Sequence, residues 1–579
     1  MRKWLLAFFA LGCLTAPVLA GTSVSEYDLT LHLHIPDSSF AATERITLLS
    51  DSDVLLDATN LSIDSITCDG QDVDFRIGDG KLNLHLSPPL KNRQVVLSID
   101  YHAKPTTGLV IHPQEVYSGF NSDSWFPCDH TPGSKAKYRL TFTVPNSWHV
   151  TASGQQGNAM QNGDQTRYTF YQRIPISAYV FGFAAGNFEI DTMQAGNVQL
   201  QDLTTGYSHS QVDSIFDDVP NILAYFDSIT GVNYPYPTYT NVLTREENEQ
   251  EAVRFCMLSS DYGKEVLIEH REEWLIIHEF CHQWFGNSIT CKDWSDFWLN
   301  EGLTTYLTAC YKEHAFGAEE FDREMFLAHV RYDRIRGTPK DLPIVRYNYK
   351  RSSDMGGVIT YYKGALVLNY LRSIIGIKAF GDGLRAYSRK YWQRSVQTSD
   401  FESEMEQASG MDLHWFFKEW VHNADSVKLR ASFSLVRDSV KLTLDQTGLS
   451  VYRLPMTISV TSGGASSSHN IILDSPSKTF SFVLSDSLES LIVDAGKKLP
   501  VAVEVRKPYA MLLYESNNAS STLDRVDAMT ELTSSYVNES PEHQSTIQSL
   551  LQSATRSSSR LIAQVSQNLL KKIAVTKSN

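Results

Sequence analysis

Hydrophobic positions change period along this chain, and the changes mark its parts. Tyr27, Leu29, Leu31, Leu33 and Ile35 alternate with polar neighbours, the period of a half-buried strand. The alternation returns at Val95, Leu97 and Ile99, at Tyr138, Leu140, Phe142 and Val144, and at Tyr168 and Phe170, with Gly, Pro, Asn and Asp turns between. Residues 21–205 are therefore expected to form one all-antiparallel β domain. From about 206 the period lengthens towards that of a helix, over Val212 to Thr230. Tyr234-Pro235-Tyr236-Pro237 then breaks the chain ahead of a short strand at Thr240–Leu243. Helix formers and aromatics dominate as far as Asp425, which sets 206–425 apart as a second, mixed domain. Strand alternation resumes at Val427, Leu429, Ala431, Phe433 and Leu435, then at Val440, Leu442 and Leu444 and at Met456, Ile458 and Val460. Bounded by Gly448 and Gly463-Gly464, these short runs predict a small β-sandwich over 426–505. Residues 506–579 are rich in Ser and Thr yet keep Leu523, Val526, Met529 and Leu532, and later Leu561, Val565 and Leu569, at helical spacing. A short helical tail is expected there.

Composition adds limits more than positive signals. A chain of 579 residues exceeds one hydrophobic core. Its net charge of −15 disfavours nucleic acid or an anionic membrane surface as partner. The first twenty residues stand apart: Arg2-Lys3, an apolar run from Trp4 to Leu14, then Pro17-Val18-Leu19-Ala20 ending in small residues. This is the pattern of a secretory signal peptide, 1–20, cut after Ala20. A membrane anchor would need a longer run. Lipid attachment at Cys13 is a weaker alternative. No later stretch is apolar enough to span a membrane, so the mature chain is expected in the periplasm or outside the cell, without an integral membrane segment. Export permits disulfides, but Cys68, Cys128, Cys256, Cys281, Cys291 and Cys310 are scattered with no C-x-x-C pair, and the sequence assigns no bridge.

The chemistry concentrates in Trp274 to Gly302. His278-Glu279-Phe280-Cys281-His282 has the pattern H-E-x-x-H; on a helix its histidines lie at i and i+4, on one face. Two imidazoles so placed can share one metal ion, and neutral imidazole suits zinc. Glu279, one residue round the helix, can take a proton from water at that ion. Nineteen residues after His282 comes Glu301, in Trp298-Leu299-Asn300-Glu301-Gly302. A second helix carrying it would complete three protein ligands and leave a fourth position open, as in catalytic zinc sites. A core helix with two satisfied histidines would share the first motif. However, Trp274, Ile276, Ile277, Phe280, Cys281 and Trp284 make the segment apolar around most of its circumference, and buried histidines and glutamate are costly unless paired or metal-bound.

These motifs resemble those of the aminopeptidase N family of gluzincin zinc peptidases. The resemblance covers about 21–505. It rests on H-E-x-x-H followed by Trp284-Phe285-Gly286-Asn287, on Trp298 to Gly302, and on Tyr361-Tyr362-Lys363-Gly364. Phe126-Pro127-Cys128 with Lys135-Ala136, the run from Pro175 to Phe188, and Trp415-Phe416-Phe417 support it. It implies a multidomain α+β fold: an N-terminal antiparallel β-saddle domain, a thermolysin-like α/β catalytic domain, a small β-sandwich and a helical C-terminal part. The tail here is far shorter than the large helical domain of most members. It further implies one Zn2+ per chain on His278, His282 and Glu301, Glu279 as general base, Tyr361 as stabiliser of the oxyanion, and a peptide as substrate. Asp296 is a plausible outer partner for a zinc histidine, or equally a solvated carboxylate.

One departure bears on the substrate. The family carries Gly-x-Met-Glu-Asn before the zinc helix, its glutamate binding the substrate's free α-amine. Here the region reads Glu246-Glu247-Asn248-Glu249-Gln250-Glu251-Ala252-Val253-Arg254-Phe255. The best alignment puts Glu251 at the amine-binding position, with glycine, methionine and asparagine all missing; a solvated acidic loop reads equally well. The leading expectation is an exported zinc aminopeptidase. An endopeptidase or other hydrolase on the same core is the alternative, and a non-catalytic zinc-binding protein of the same fold is a third reading.

Overall fold

In a computed structural model, residues 22–50, 53–86, 93–245, 249–425 and 427–578 are described, and the expected signal peptide 1–20, with Cys13, lies outside them. The chain divides into two compact units.

The first unit holds residues up to His130 together with 134–148 and 153–185. Its main sheet has nine strands. Ser23–His34 and Ser39–Ser50 pair antiparallel, and Arg93–Ala103 lies beside the latter. The alternation works as expected: Tyr27, Leu29 and Leu31 point into the core and their neighbours do not. One expectation is corrected. Ser23–His34 runs parallel, not antiparallel, to Lys135–Pro145. A parallel pair needs a long crossover, and here the whole intervening chain supplies it.

Glu44 breaks the inward apolar pattern of this sheet. It is fully buried on Ser39–Ser50, and neither carboxyl oxygen has a hydrogen-bond partner among the described residues. Burial pushes its pKa well above the ordinary carboxylate value. The folded state therefore holds a proton that the unfolded chain releases above its own pKa, so stability falls as pH rises beyond that point, by up to about 1.4 kcal/mol per pH unit. Glu44→Gln keeps the shape and removes the titration. Its melting temperature relative to the native chain should rise from pH 5 to pH 8 in calorimetry; a constant difference would mean that Glu44 does not titrate on unfolding.

The second unit begins at Gly186 rather than near 205, apart from two short pieces at 131–133 and 149–152. Glu189–Ala195 and Val198–Thr204 were expected at the end of the β domain. Instead they join Thr238–Thr244 and Phe255–Ser259 in one four-stranded sheet. Val198–Thr204 pairs parallel with Thr238–Thr244, which pairs parallel with Phe255–Ser259. Beyond this sheet come the helices Trp274–Cys281, Trp298–Phe316, Ala318–Asp333 and Gly364–Ile375, sharing one buried core with it. The sandwich follows as a four-stranded and a three-stranded sheet between Lys428 and Val505.

The tail forms four helices, Tyr509–Asn518, Thr522–Ser535, Pro541–Ala554 and Arg560–Ser578, around a core of its own that includes Leu523, Val526, Leu532, Ile547, Leu551 and Leu561. Its serines cap rather than disrupt: Ser521 and Ser540 accept from Leu523 N and His543 N, and Pro541 opens its helix. Arg560 ties the tail to the helical layer. Its Nη1 meets both oxygens of Glu320 at 3.0 and 3.1 Å, and its Nη2 reaches Glu272, which Arg323 also holds at 2.8 Å. Glu272 stands just ahead of the helix Trp274–Cys281. The six cysteines among the described residues are free, and no described helix is long and apolar enough to cross a membrane.

Candidate metal centre

The helix Trp274–Cys281 carries His278 and Glu279, and His282 caps its end in right-handed helical conformation. One turn apart, the two imidazoles meet with Nε2 atoms 3.2 Å from each other. The following chain folds back immediately: Asn287 N donates to His282 O at 2.9 Å, and His282 Nδ1 lies 2.9 Å from the Phe285 carbonyl. That contact is one a protonated Nδ1 makes, and it turns Nε2 towards His278. Gly286 is required here. It has φ +127°, and a Cβ would stand 2.9 Å from His282 Nδ1.

Glu301 arrives on the first turn of Trp298–Phe316. Its Oε2 lies 3.4 Å from both His278 Nε2 and His282 Nε2. All three residues are buried, and Glu301 Oε2 has no hydrogen-bond donor among the described residues. The edge of a tetrahedron with zinc–nitrogen bonds of 2.0–2.1 Å is about 3.3 Å long, so the three contacts fit three corners around a zinc ion. The donor set, two imidazoles and a carboxylate, is that of a hydrolytic zinc site. The electrostatics agree. Burial drives His278 down to about 4, leaving its ring neutral. Burial works in the same direction on His282, but Glu301, Glu251 and Glu279 outweigh it and push it up to about 10. Glu301, with Glu251 and Glu279 beside it, thus favours positive charge at this point, which a metal cation would supply.

Tyr361 reaches the centre through a contact that the sequence does not announce. Gly302, next to Glu301, and Gly364, at the end of the tyrosine motif, pack directly together. A Cβ on Gly302 would stand 2.8 Å from Thr360 O, and one on Gly364 would stand 3.1 Å from Gly302 Cα. Only glycines allow the two helices this approach. Tyr361 itself sits in a π-helical turn, Ile359–Lys363, with its ring 6.0 Å from that of His278. Burial, then the charges of Glu301, Glu251 and Glu279, raise its pKa well above the usual phenol value, so its hydroxyl remains a donor. Glu279 is buried too, its pKa raised by burial, and its Oε2 has no partner among the described residues.

Glu246, Glu247 and Asn248 lie outside the described residues, but Glu251 is at the centre. Burial raises its pKa to about 7, with His282 lowering and Glu301 raising it. Two residues just after the histidine motif hold its segment in place. Asn287 Nδ2 donates to Glu251 O at 2.9 Å, and Gln283 accepts from Arg254 N and donates to Ala252 O, both at 3.0 Å. Gln250 Nε2 reaches Glu251 Oε2 at 3.0 Å. Sequence reasoning missed Gln283 and Asn287 as anchors. The available signal was two buried amide side chains flanking a metal motif, which need partners.

Asp296 is not brought to the histidines as an outer partner. Its Oδ1 accepts from Thr398 N at 3.0 Å and Thr398 Oγ1 at 2.6 Å, capping the helix Thr398–Ser409. The outer partner of His282 is the Phe285 carbonyl. Spacing placed Asp296 near the ligands but could not give the direction of its side chain.

Comparison with known proteins bears on this centre. The profile of the peptidase family M1 domain matches residues 215–420, and that of the peptidase M1 N-terminal domain matches residues 23–180. Probable aminopeptidase 2 of Sulfurisphaera tokodaii is 24% identical over 473 residues, covering 76% of this chain and 59% of the relative. Leucyl aminopeptidase of Saccharolobus solfataricus is 23% identical over 472 residues, covering 76% and 58%. The chain thus spans under two thirds of the length of these curated relatives. Among solved structures, Legionella pneumophila aminopeptidase A, in complex with aspartic acid, superposes with a TM-score of 0.81 at 16% identity, covering 94% of this chain and 68% of the other. That likeness is one of fold.

Proposed function

The chain belongs to peptidase family M1, and from that premise we propose that it is an exported, zinc-dependent aminopeptidase. The observation that carries the reading is the convergence of His278, His282 and Glu301 within ion-binding distance of one another. Glu279, Tyr361 and Glu251 stand around them. Zinc held by the three ligands would polarise the scissile carbonyl and acidify water. The remaining work belongs to the protein. Glu279 takes the proton of the attacking water and passes it to the leaving amine. The Tyr361 phenol donates to the oxygen that gains negative charge. Glu251 receives the α-ammonium of the substrate, which relieves the cost of burying its carboxylate alone. Support for export is the basic, apolar and small-residue order of residues 1–20.

The test uses the purified chain with metal analysis and an unblocked peptide. One zinc per chain is expected, with residues released singly from the amino end, activity lost to a chelator and regained with added zinc. Cuts at internal bonds would make it an endopeptidase on the same core. A zinc-loaded protein that cleaves nothing would leave only a binding role.

A further inference from the structure

Close to Tyr361 in sequence lies a buried ion pair that touches none of the three metal ligands. Lys363, two residues on, is 5% exposed, and its Nζ donates to Asp341 Oδ1 at 2.9 Å and to Leu342 O at 3.0 Å. Asp341, 6% exposed, is itself fixed: Tyr332 Oη donates to its two oxygens at 3.1 Å, and Gly337 N donates to Oδ2 at 3.0 Å. Tyr332 belongs to the helix Ala318–Asp333, and its ring lies 5.4 Å from Lys363 Nζ.

We propose that Lys363 and Asp341 are the positioning residues of Tyr361, fixing the rotation of its π-helical turn so that the phenol faces the metal centre. Residues two apart on a helical turn point to roughly opposite sides. A lysine locked on one side therefore sets the direction of the tyrosine on the other. The turn is a rare geometry, found mostly as single π-turns inside α-helices; here the Gly364 N–H reaches back to the Ile359 carbonyl. The pair is buried, so removing either charge leaves the other uncompensated away from bulk solvent, and movement of the turn is the way to re-solvate it. The proposal rests on the reading of Tyr361 as oxyanion donor.

A double-mutant cycle separates the two ideas. Native enzyme, Tyr361→Phe, Asp341→Asn and the double variant are compared in kcat and KM on an aminoacyl 4-nitroanilide, with zinc content measured for each. Asp341→Asn should lower kcat by about 10- to 100-fold, the scale of a small misplacement at a reacting centre, with KM and zinc nearly unchanged. In the Tyr361→Phe background the same change should cost less than about twofold, because the group it positions is already gone. Equal costs in both backgrounds, or no cost in the native one, would overturn the proposal while leaving the role of Tyr361 intact. Native kcat in Tyr361→Phe would overturn both. If Asp341→Asn does not fold, Asp341→Leu combined with Lys363→Met removes both charges at smaller cost to stability, and the same cycle is read with that pair.

Discussion

Glu279→Gln should retain one zinc per chain and lose turnover by about a thousandfold, the middle of the range for a general base. The two halves of this expectation have separate causes. Zinc retention follows from the ligand set: the converging atoms belong to His278, His282 and Glu301. Removing Glu279 still leaves Glu251 and Glu301 to balance a cation beside His282. Loss of turnover follows from the amide, which has the shape of the carboxylate but cannot accept and return a proton. A thousandfold fall is about 4 kcal/mol of transition-state stabilisation. KM should change little, since the proton moves only as the bond breaks. Native turnover in the variant would remove Glu279 from the mechanism. Zinc and activity falling together would instead make it a ligand or a prop for one.

The sequence exposed this centre because its spacing is local. His278 and His282 are one helical turn apart, so their juxtaposition needs only that the segment be helical, and its apolar flanks made it so. Glu301 was within reach because a second helix so soon after the first has few ways to pack. What was illegible depends on distant chain. Gly302 and Gly364 each look like the end of a motif; only the fold shows that they touch, and that their contact carries Tyr361 to the ligands. Asp296 illustrates the opposite error, a carboxylate close in sequence whose side chain turns to Thr398.

The same limit governed the domain boundaries. Val198–Thr204 alternates like the strands before it, and alternation reports which face is buried but not which sheet receives the strand. Its parallel partner, Thr238–Thr244, comes only after two helices, so alternation alone groups the strand with the β domain before it. The parallel pairing of Ser23–His34 with Lys135–Pro145 was hidden for the same reason. The sandwich and the tail were more legible. The tail's helices pack largely on sequence neighbours, with Ser521 and Ser540 capping two of their starts, and the sandwich strands alternate visibly although three of their five pairings join strands distant in sequence.

The second large effect concerns the end of the substrate. An unblocked peptide should be cleaved far faster than its N-acetylated twin, and Glu251→Gln should erase most of the difference. The variant should lower kcat/KM for the free peptide by about 10²-fold or more, the scale of losing one partner of a buried, charge-assisted contact, while the acetylated peptide changes little. The weak motif around Glu251 made this uncertain on sequence alone, since glycine, methionine and asparagine are all replaced. The geometry explains how the function can survive those changes. Gln283 and Asn287, just after the histidine motif, hold the backbone from Glu251 to Arg254. Burial keeps that carboxylate up at about 7, poised to ionise fully when an ammonium arrives. Equal cleavage of the two native-enzyme substrates would rule out amine recognition and make the site an endopeptidase centre. A preference that persists undiminished in Glu251→Gln would move amine recognition to another carboxylate and leave Glu251 a buried neighbour of the ligands.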